Sequence, residues 1–239
     1  MTPDPLTKLR SRPTLVWRLA RATLAVVFAL AVYVYVTLPE VRELATVNPT
    51  TTAFMEMRDR EAAREGRGVQ RAHQWVPYAR ISDHLKRAVV VTEDAAFWGH
   101  EGVDLHEVRV ALEESLERRT APRGASTITQ QLAKNLYLSP SRDPLRKLRE
   151  LVIARRLEAE LSKERILEIY LNVIEWGDQV WGVEAAARTY FGVPAATLTR
   201  QQAALLAGAI INPRALNPAQ PPRRLLRRQQ LILDRMGSR

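Results

Sequence analysis

Residues 124–161 read GASTITQQLAKNLYLSPSRDPLRKLRELVIARRLEAEL, and this stretch contains two helix starts separated by a loop. The Thr-x-x-Gln pattern that begins at Thr127 is a capping box, which predicts a helix as far as Tyr137. The Asp-Pro pair at Asp143 combines a favourable N-cap with proline at the first helical position, and it predicts a second helix to about Leu161. The chain is therefore built around consecutive short helices.

The same kinds of signal extend this helical pattern in both directions along the chain. Apolar spacing and capping residues predict further helices over 104–118, 162–171, 182–190 and from Thr199 onward. Paired strand patterns joined by an Asn-Gly or Asp-Gly turn are absent from the sequence. We therefore predict a mainly α protein.

An uncharged stretch precedes these helices. Residues 22–38 read ATLAVVFALAVYVYVTL, and 17 apolar or neutral residues are close to the lower limit of about 17–25 for a spanning helix. Basic residues precede the stretch, so the positive-inside rule places 1–21 in the cytoplasm and 39–239 outside. A cleaved signal peptide is the alternative, but an A-x-A cleavage pattern is lacking. A buried core helix is disfavoured because the stretch is apolar on all sides.

The net charge of +10 is unevenly distributed over the 239 residues. Residues 1–21 carry +4 and residues 223–239 carry +5, which leaves +1 for the body of the chain. Because the excess charge lies at the two ends and flanks an apolar stretch, it argues for a membrane and against nucleic acid. The absence of cysteine excludes a disulfide scaffold, a thiolate zinc site and a cysteine nucleophile.

Three polar clusters interrupt the apolar helical sequence. The first, EDAAFWGHEG at 93–102, places a carboxylate pair, Glu93 and Asp94, beside bulky apolar residues, where burial would raise a carboxyl pKa and favour proton transfer. A helix cap or a salt bridge is the structural alternative. The second, at 124–135, crowds hydroxyls, amides and a lysine at a helix start and suits a phosphate or a sugar.

The third cluster is the basic stretch 142–156, which nets +4 although residues 22–222 together net only +1. Arg146 and Glu150 are four residues apart and share a helix face. A solvated, salt-bridged surface is the usual explanation for such a run. The alternative is a diphosphate site that holds one acid among cations.

These clusters resemble the motifs of a known family. EDxxFxxHxG at 93–102, GASTITQQLxKN at 124–135, RKxxE at 146–150 and ILExYLN…EWGxxxxGxEAAAxxYFG at 166–192 resemble those of the peptidoglycan glycosyltransferases, family 51. The stretch EWGDQVWGVEAAARTYFG looks most like the monofunctional biosynthetic peptidoglycan transglycosylases. The resemblance implies a lysozyme-like helical glycosyltransferase domain and covers about residues 50–218.

The resemblance also implies a reaction and a site. The family joins lipid II to a growing lipid-linked glycan through a β-1,4 bond, with inversion and with release of undecaprenyl diphosphate. It makes Glu93 the general base on the attacking 4-hydroxyl and places Glu150 at the diphosphate. The implied substrate-binding residues are Arg109, Ser126, Thr127, Gln131, Lys134, Arg146 and Lys147. Asn172 matches a motif position with a structural role.

The sequence and the resemblance together predict the organisation of the chain and its surroundings. The predicted segments are a cytoplasmic basic segment 1–21, a transmembrane anchor 22–38, a juxtamembrane connector 39–72, a catalytic domain 73–222 and a basic C-terminal tail 223–239, packed on the domain or lying on lipid. We expect a single-pass inner-membrane protein with a periplasmic catalytic domain. The predicted partners are lipid II, the glycan strand, the membrane and a cell-wall synthesis or division complex, without nucleic acid.

Three further expectations complete the set. No obligatory cofactor is expected, with Mg²⁺ or Mn²⁺ as an optional partner of the diphosphate. A lytic peptidoglycan hydrolase is the rival enzyme, since lysozyme-like folds cut the same bond, but it has no use for a diphosphate site. A non-enzymatic anchored scaffold is the second rival, and the presence of both Glu93 and Glu150 argues against it.

Overall fold

The chain divides into two compact units, Met1–Leu38 and Pro39–Arg239. The computed structural model describes residues 15–104, 109–110, 113, 126–138 and 144–237, with the side chains at 31, 34 and 144 outside that description. Several predicted features lie outside the described residues: the first 14 residues of the cytoplasmic segment, most of the helix predicted over 104–118 and the cap at Asp143.

The described part of the first unit, from residue 15 onward, contains the helix α1 (Leu15–Val36), of 22 residues. Its described apolar side chains are largely exposed, among them Leu24, Val26 and Phe28. Within the described ranges, no helix has both the length and the apolar character that crossing a membrane requires.

The second unit is mainly helical, in agreement with the predicted class. Its helices are α2 (Ala53–Arg64), α3 (Asp83–Glu93), α4 (Ile128–Tyr137), α5 (Pro144–Glu160), α6 (Lys163–Val173), α7 (Val183–Phe191), α8 (Arg200–Ala209) and α9 (Arg223–Gly237). The predicted caps Thr127, Ser162 and Thr199 each accept a hydrogen bond from a backbone N–H in the first turn of their helix. Local capping chemistry therefore sets where three of these helices begin.

Helix α4 lies at the centre of the packing. It contacts α2, α5 and α6, while α3 packs against α8 and α9 on another side. Most of α4 is buried, including the polar residues Thr129, Gln130 and Asn135. Buried polar side chains require hydrogen-bond partners, so α4 presents fixed polar groups to its neighbours rather than a uniformly apolar face.

A small sheet accompanies the helices, although the sequence shows no paired strand pattern. Strands β1 (Ala72–His73), β2 (Glu175–Gly177) and β3 (Val180–Trp181) pair in the order β1-β3-β2, with β1 parallel and β2 antiparallel to β3. The β2–β3 turn lacks a glycine, and Gln179 adopts φ +58° there. Its side chain donates to Gly68 O (3.0 Å) and accepts from Gln70 N (2.5 Å). Contacts distant in sequence thus stabilise a turn that its own residues do not signal.

The predicted connector and tail both contribute to the second unit. Met55 of α2, in the connector, is buried, and α2 packs against α4. In the tail, α9 buries Leu225, Ile232 and Met236 and packs against α8 and α3. Of the two alternatives for the tail, the structure shows packing on the domain.

Candidate active site

The carboxylate pair of the first cluster has divided roles. Asp94, 8% exposed, accepts a hydrogen bond from the Ile128 backbone N–H at 2.9 Å and thereby joins the end of α3 to the start of α4. His100 Nδ1 accepts from the Gly102 N–H (3.1 Å), so the ring proton lies on Nε2 and is donated to Asp94 Oδ1 at 2.9 Å. The structural alternative therefore applies to Asp94.

Glu93 instead has no contact of this structural kind. Its Oε2 accepts a hydrogen bond from Gln131 Nε2 at 3.0 Å, and its Oε1 lies 3.8 Å from Arg228 Nη2. Burial raises the pKa of Glu93, while Gln131, Arg228 and Lys134 oppose that rise. A carboxylate with a raised pKa is a stronger base than an exposed one, which suits it to remove a proton from a sugar hydroxyl.

Lys134 connects the two predicted acids. Burial lowers the pKa of this lysine, and the attraction of Glu150 and Glu93 acts in the opposite direction. Arg146 and Lys147 lower the pKa of Lys134 further by charge repulsion. Lys134 is therefore within electrostatic reach of these four charged residues, which the motifs singled out, so the structure brings the second and third clusters together with Glu93.

Glu150 is held by a lysine of its own helix. Only 4% exposed, it receives a hydrogen bond from Lys147 Nζ at 2.5 Å. The same ammonium group lies 3.1 Å from Gln130 Oε1 and 3.5 Å from Ser126 Oγ. The i,i+3 partner Lys147, rather than the i,i+4 partner Arg146, thus forms the ion pair with Glu150.

Arg146 has a hydrogen-bond donor that is not used within the described part of the chain. Its Nε is buried and has no hydrogen-bond partner within the described part of the chain. A buried donor without an acceptor costs about 1–3 kcal/mol, and an incoming phosphate oxygen would remove that cost. This is the arrangement expected of an anion site rather than of a solvated helix face.

Two predicted binding residues lie elsewhere or have structural contacts. The Thr127 hydroxyl accepts from Gln130 N (3.2 Å) and donates to Gly102 O (2.8 Å), so it caps α4. Arg109 is exposed and pairs with Glu113 at 2.8 Å. No described contact joins Arg109 to the Glu93 and Glu150 cluster.

Asn172 has the structural role that its motif position implies. Its side chain accepts from Val76 N (2.9 Å) and donates to Val76 O (2.9 Å), as a strand partner would. Two site neighbours were not singled out by sequence reasoning, Tyr170 and Arg228. Tyr170 belongs to the quoted ILExYLN motif, but nothing in the sequence reveals that the tail places Arg228 beside Glu93.

The supply of metal ligands is a further property of the site. The described residues contain no group of three or more His, Asp or Glu side chains that could hold a metal ion. Glu150 is the carboxylate at the cationic end, and Lys147 already binds its Oε1. Among the described residues, Glu150 is therefore the carboxylate that this end of the site offers to a divalent ion.

Replacing Asp94 with alanine should destabilise the fold. The change leaves the Ile128 N–H and the His100 Nε2–H without their acceptor, which should cost about 2 kcal/mol and lower the unfolding midpoint by roughly 4–8 °C. Thermal unfolding of the full-length protein in detergent measures this. Asp83→Ala is the control, because Asp83 is exposed and pairs only with Lys86. Equal midpoints for the two variants would contradict the assignment.

Comparison with known proteins shows the family of the chain. The profile of the transglycosylase family matches residues 59–237. The biosynthetic peptidoglycan transglycosylase of Nitrosomonas eutropha is 50% identical over 191 residues, which cover 80% of this chain and 78% of the relative. That of Nitrosospira multiformis is 42% identical over 222 residues, covering 93% of this chain and 95% of the relative. The chain belongs to the transglycosylase family.

Proposed function

We propose that this protein polymerises lipid II into β-1,4-linked glycan strands in peptidoglycan synthesis. The observation that carries the proposal is that α4 contacts both acids: Gln131 donates to Glu93 Oε2 at 3.0 Å, and Gln130 accepts from Lys147, the partner of Glu150. The partly buried Lys134 of the same helix is attracted by both Glu93 and Glu150. A base and an anion site in one cleft suit the attack of a sugar hydroxyl on a donor that leaves as a diphosphate.

In this reaction Glu93 removes the proton from the 4-hydroxyl of the incoming lipid II GlcNAc. The hydroxyl oxygen bonds to the anomeric carbon of the growing strand, and the bond from that carbon to the diphosphate oxygen breaks with inversion. Lys134 and Arg146 stabilise the negative charge that develops on the leaving diphosphate. Glu150 orients Lys147, which adds a third cation at the same end.

The lytic alternative has no support in the site. A hydrolase needs a water molecule and a dominant acid, and cations at the leaving group serve no purpose when that group is a sugar hydroxyl. The charged groups around Lys134 therefore favour synthesis over cleavage.

We further propose that α1 anchors the enzyme in the inner membrane, with the catalytic domain periplasmic. Support comes from the uncharged stretch 22–38, from the exposed apolar side chains of α1 and from the basic residues before it. Both substrates carry a polyprenyl chain, so an anchored enzyme meets them at the bilayer. The mainly helical second unit is proposed to have the lysozyme-like arrangement of its family.

Cofactors and assembly are proposals of the same kind. The site requires no cofactor for the chemistry above. A Mg²⁺ or Mn²⁺ ion that joined the diphosphate would be held mainly by phosphate oxygens, with Glu150 as its one protein carboxylate, since Mg²⁺ commonly binds this way. Membership of a cell-wall synthesis or division complex follows from the function alone.

The test is a polymerisation assay on the full-length protein in detergent with purified lipid II. We expect glycan polymer on gels and release of undecaprenyl diphosphate in equal amount to the bonds formed. Fragmentation of purified cell wall without polymerisation of lipid II would establish the lytic alternative instead.

A further inference from the structure

We propose that Tyr170 and Arg228 are positioning residues that hold the two oxygens of Glu93 in place for proton removal. Tyr170 acts on one oxygen through Gln131, and Arg228 acts directly on the other. The inference rests on the proposed role of Glu93 as general base, and it adds two residues, on α6 and α9, to the machinery of that base.

The Tyr170 side of this arrangement is a chain of two hydrogen bonds. The fully buried Tyr170 donates its hydroxyl proton to Gln131 Oε1 at 2.8 Å, and Gln131 Nε2 then donates to Glu93 Oε2 at 3.0 Å. Burial raises the pKa of Tyr170 well above 10, so its hydroxyl keeps its proton. Tyr170 thereby fixes which end of the amide faces Glu93, and an amide N–H favours the charged form of a carboxylate.

The Arg228 side is an ion pair across two helices. Arg228 belongs to α9, which packs against α3, and its Nη2 lies 3.8 Å from Glu93 Oε1. The Arg228 Nε is buried without a hydrogen-bond partner in the described part of the chain. A cation at this distance favours the ionised carboxylate. The basic tail therefore contributes to the site through one of its arginines.

Charged groups other than Arg228 also act on the pKa of Glu93. Lys134 on α4 lowers the pKa of Glu93, and the adjacent Asp94 raises it. Gln131 and Arg228 also shift this pKa, and both favour the carboxylate. Loss of either partner therefore leaves burial less opposed, and the pKa of Glu93 should rise further.

The test is the pH dependence of kcat/KM for lipid II polymerisation, measured from pH 5 to 9 on the full-length protein. A general base must be deprotonated, so activity falls as pH drops through its pKa. In Tyr170→Phe the Gln131 amide is free to rotate, and in Arg228→Gln the cation is lost. We expect the acid limb of each variant to move up by about one pH unit, with activity recovering toward the wild-type value at high pH.

Matched variants separate this effect from a loss of packing. Tyr190→Phe removes the phenol hydroxyl of a partly buried tyrosine, which donates to Trp176 O at 3.0 Å. Arg227→Gln removes an exposed charge one residue from Arg228. Both control variants should keep the acid limb of the pH profile at its wild-type position. Arg228→Lys retains a cation at position 228, so its acid limb should lie close to the wild-type position. Thermal unfolding verifies that each variant is folded.

Two outcomes would overturn the inference. One is a limb that stays at the wild-type position in folded Tyr170→Phe and Arg228→Gln. The other is a fall in activity of equal size at every pH, which would indicate a merely structural role. Failure of what the inference rests on is separate. If Glu93 were not the base, Glu93→Gln would polymerise at the wild-type rate, and if the proposed function were wrong, the wild-type protein would not polymerise lipid II.

Discussion

Glu93→Gln should lower the rate of lipid II polymerisation by about 10²–10⁴-fold, the usual contribution of a general base. Glutamine has the size of glutamate and can still contact Gln131, but it cannot accept the proton of the attacking hydroxyl. The variant should also lose the acid limb of the pH profile, since no group remains that titrates in that role. Initial rates of undecaprenyl diphosphate release measure the loss directly.

The fold should survive this change. Burial raises the pKa of Glu93, so a neutral side chain at position 93 removes a charge that the site disfavours, and the unfolding midpoint should be equal or slightly higher. Glu101→Gln is the matched control, because Glu101 is exposed and reaches only Arg155 at 3.5 Å. Polymerisation at the wild-type rate in Glu93→Gln would contradict the assignment of the base.

Local chemistry explains what the sequence could predict. A capping residue acts within three or four residues of itself, so Thr127, Ser162 and Thr199 signal their helices without reference to the rest of the chain. The cap at Thr199 is a full capping box, with both reciprocal bonds to Gln202. At Thr127 the box is half formed, because the Gln130 side chain donates to Gly102 O instead (3.3 Å). Tertiary contacts thus changed the hydrogen-bond partner of the Gln130 side chain, but they did not change where α4 begins.

Contacts distant in sequence explain what could not be predicted. The different roles of Glu93 and Asp94 depend on Ile128, which is more than thirty residues away. The Ile128 N–H donates a hydrogen bond to the Asp94 carboxylate. Arg228 reaches Glu93 only because α9 packs against α3. A single sequence shows the charges and their helix faces, but not which helices become neighbours. The motifs identified the residues, and the packing assigned their contacts.

The second large effect is expected at the other end of the site, where Lys134→Met should lower kcat/KM by about 10²–10³-fold, as loss of a donor to developing negative charge does. Methionine retains most of the apolar stem of lysine, so α4 should still pack. Polymerisation rates for wild type and variant at several pH values measure the effect.

The pH dependence distinguishes two ways in which Lys134 could act. This lysine also lowers the pKa of Glu93, so its removal should move the acid limb upward. If that were its whole contribution, alkaline pH would restore activity, because Glu93 would again be ionised. A role at the diphosphate predicts that most of the loss persists at every pH, since no change in Glu93 replaces the missing cation. Lys86→Met, which removes a lysine paired with Asp83 on α3, should leave both rate and limb near wild type. Full recovery of activity in Lys134→Met at high pH would contradict a role at the diphosphate. It would show that Lys134 acts by lowering the pKa of Glu93.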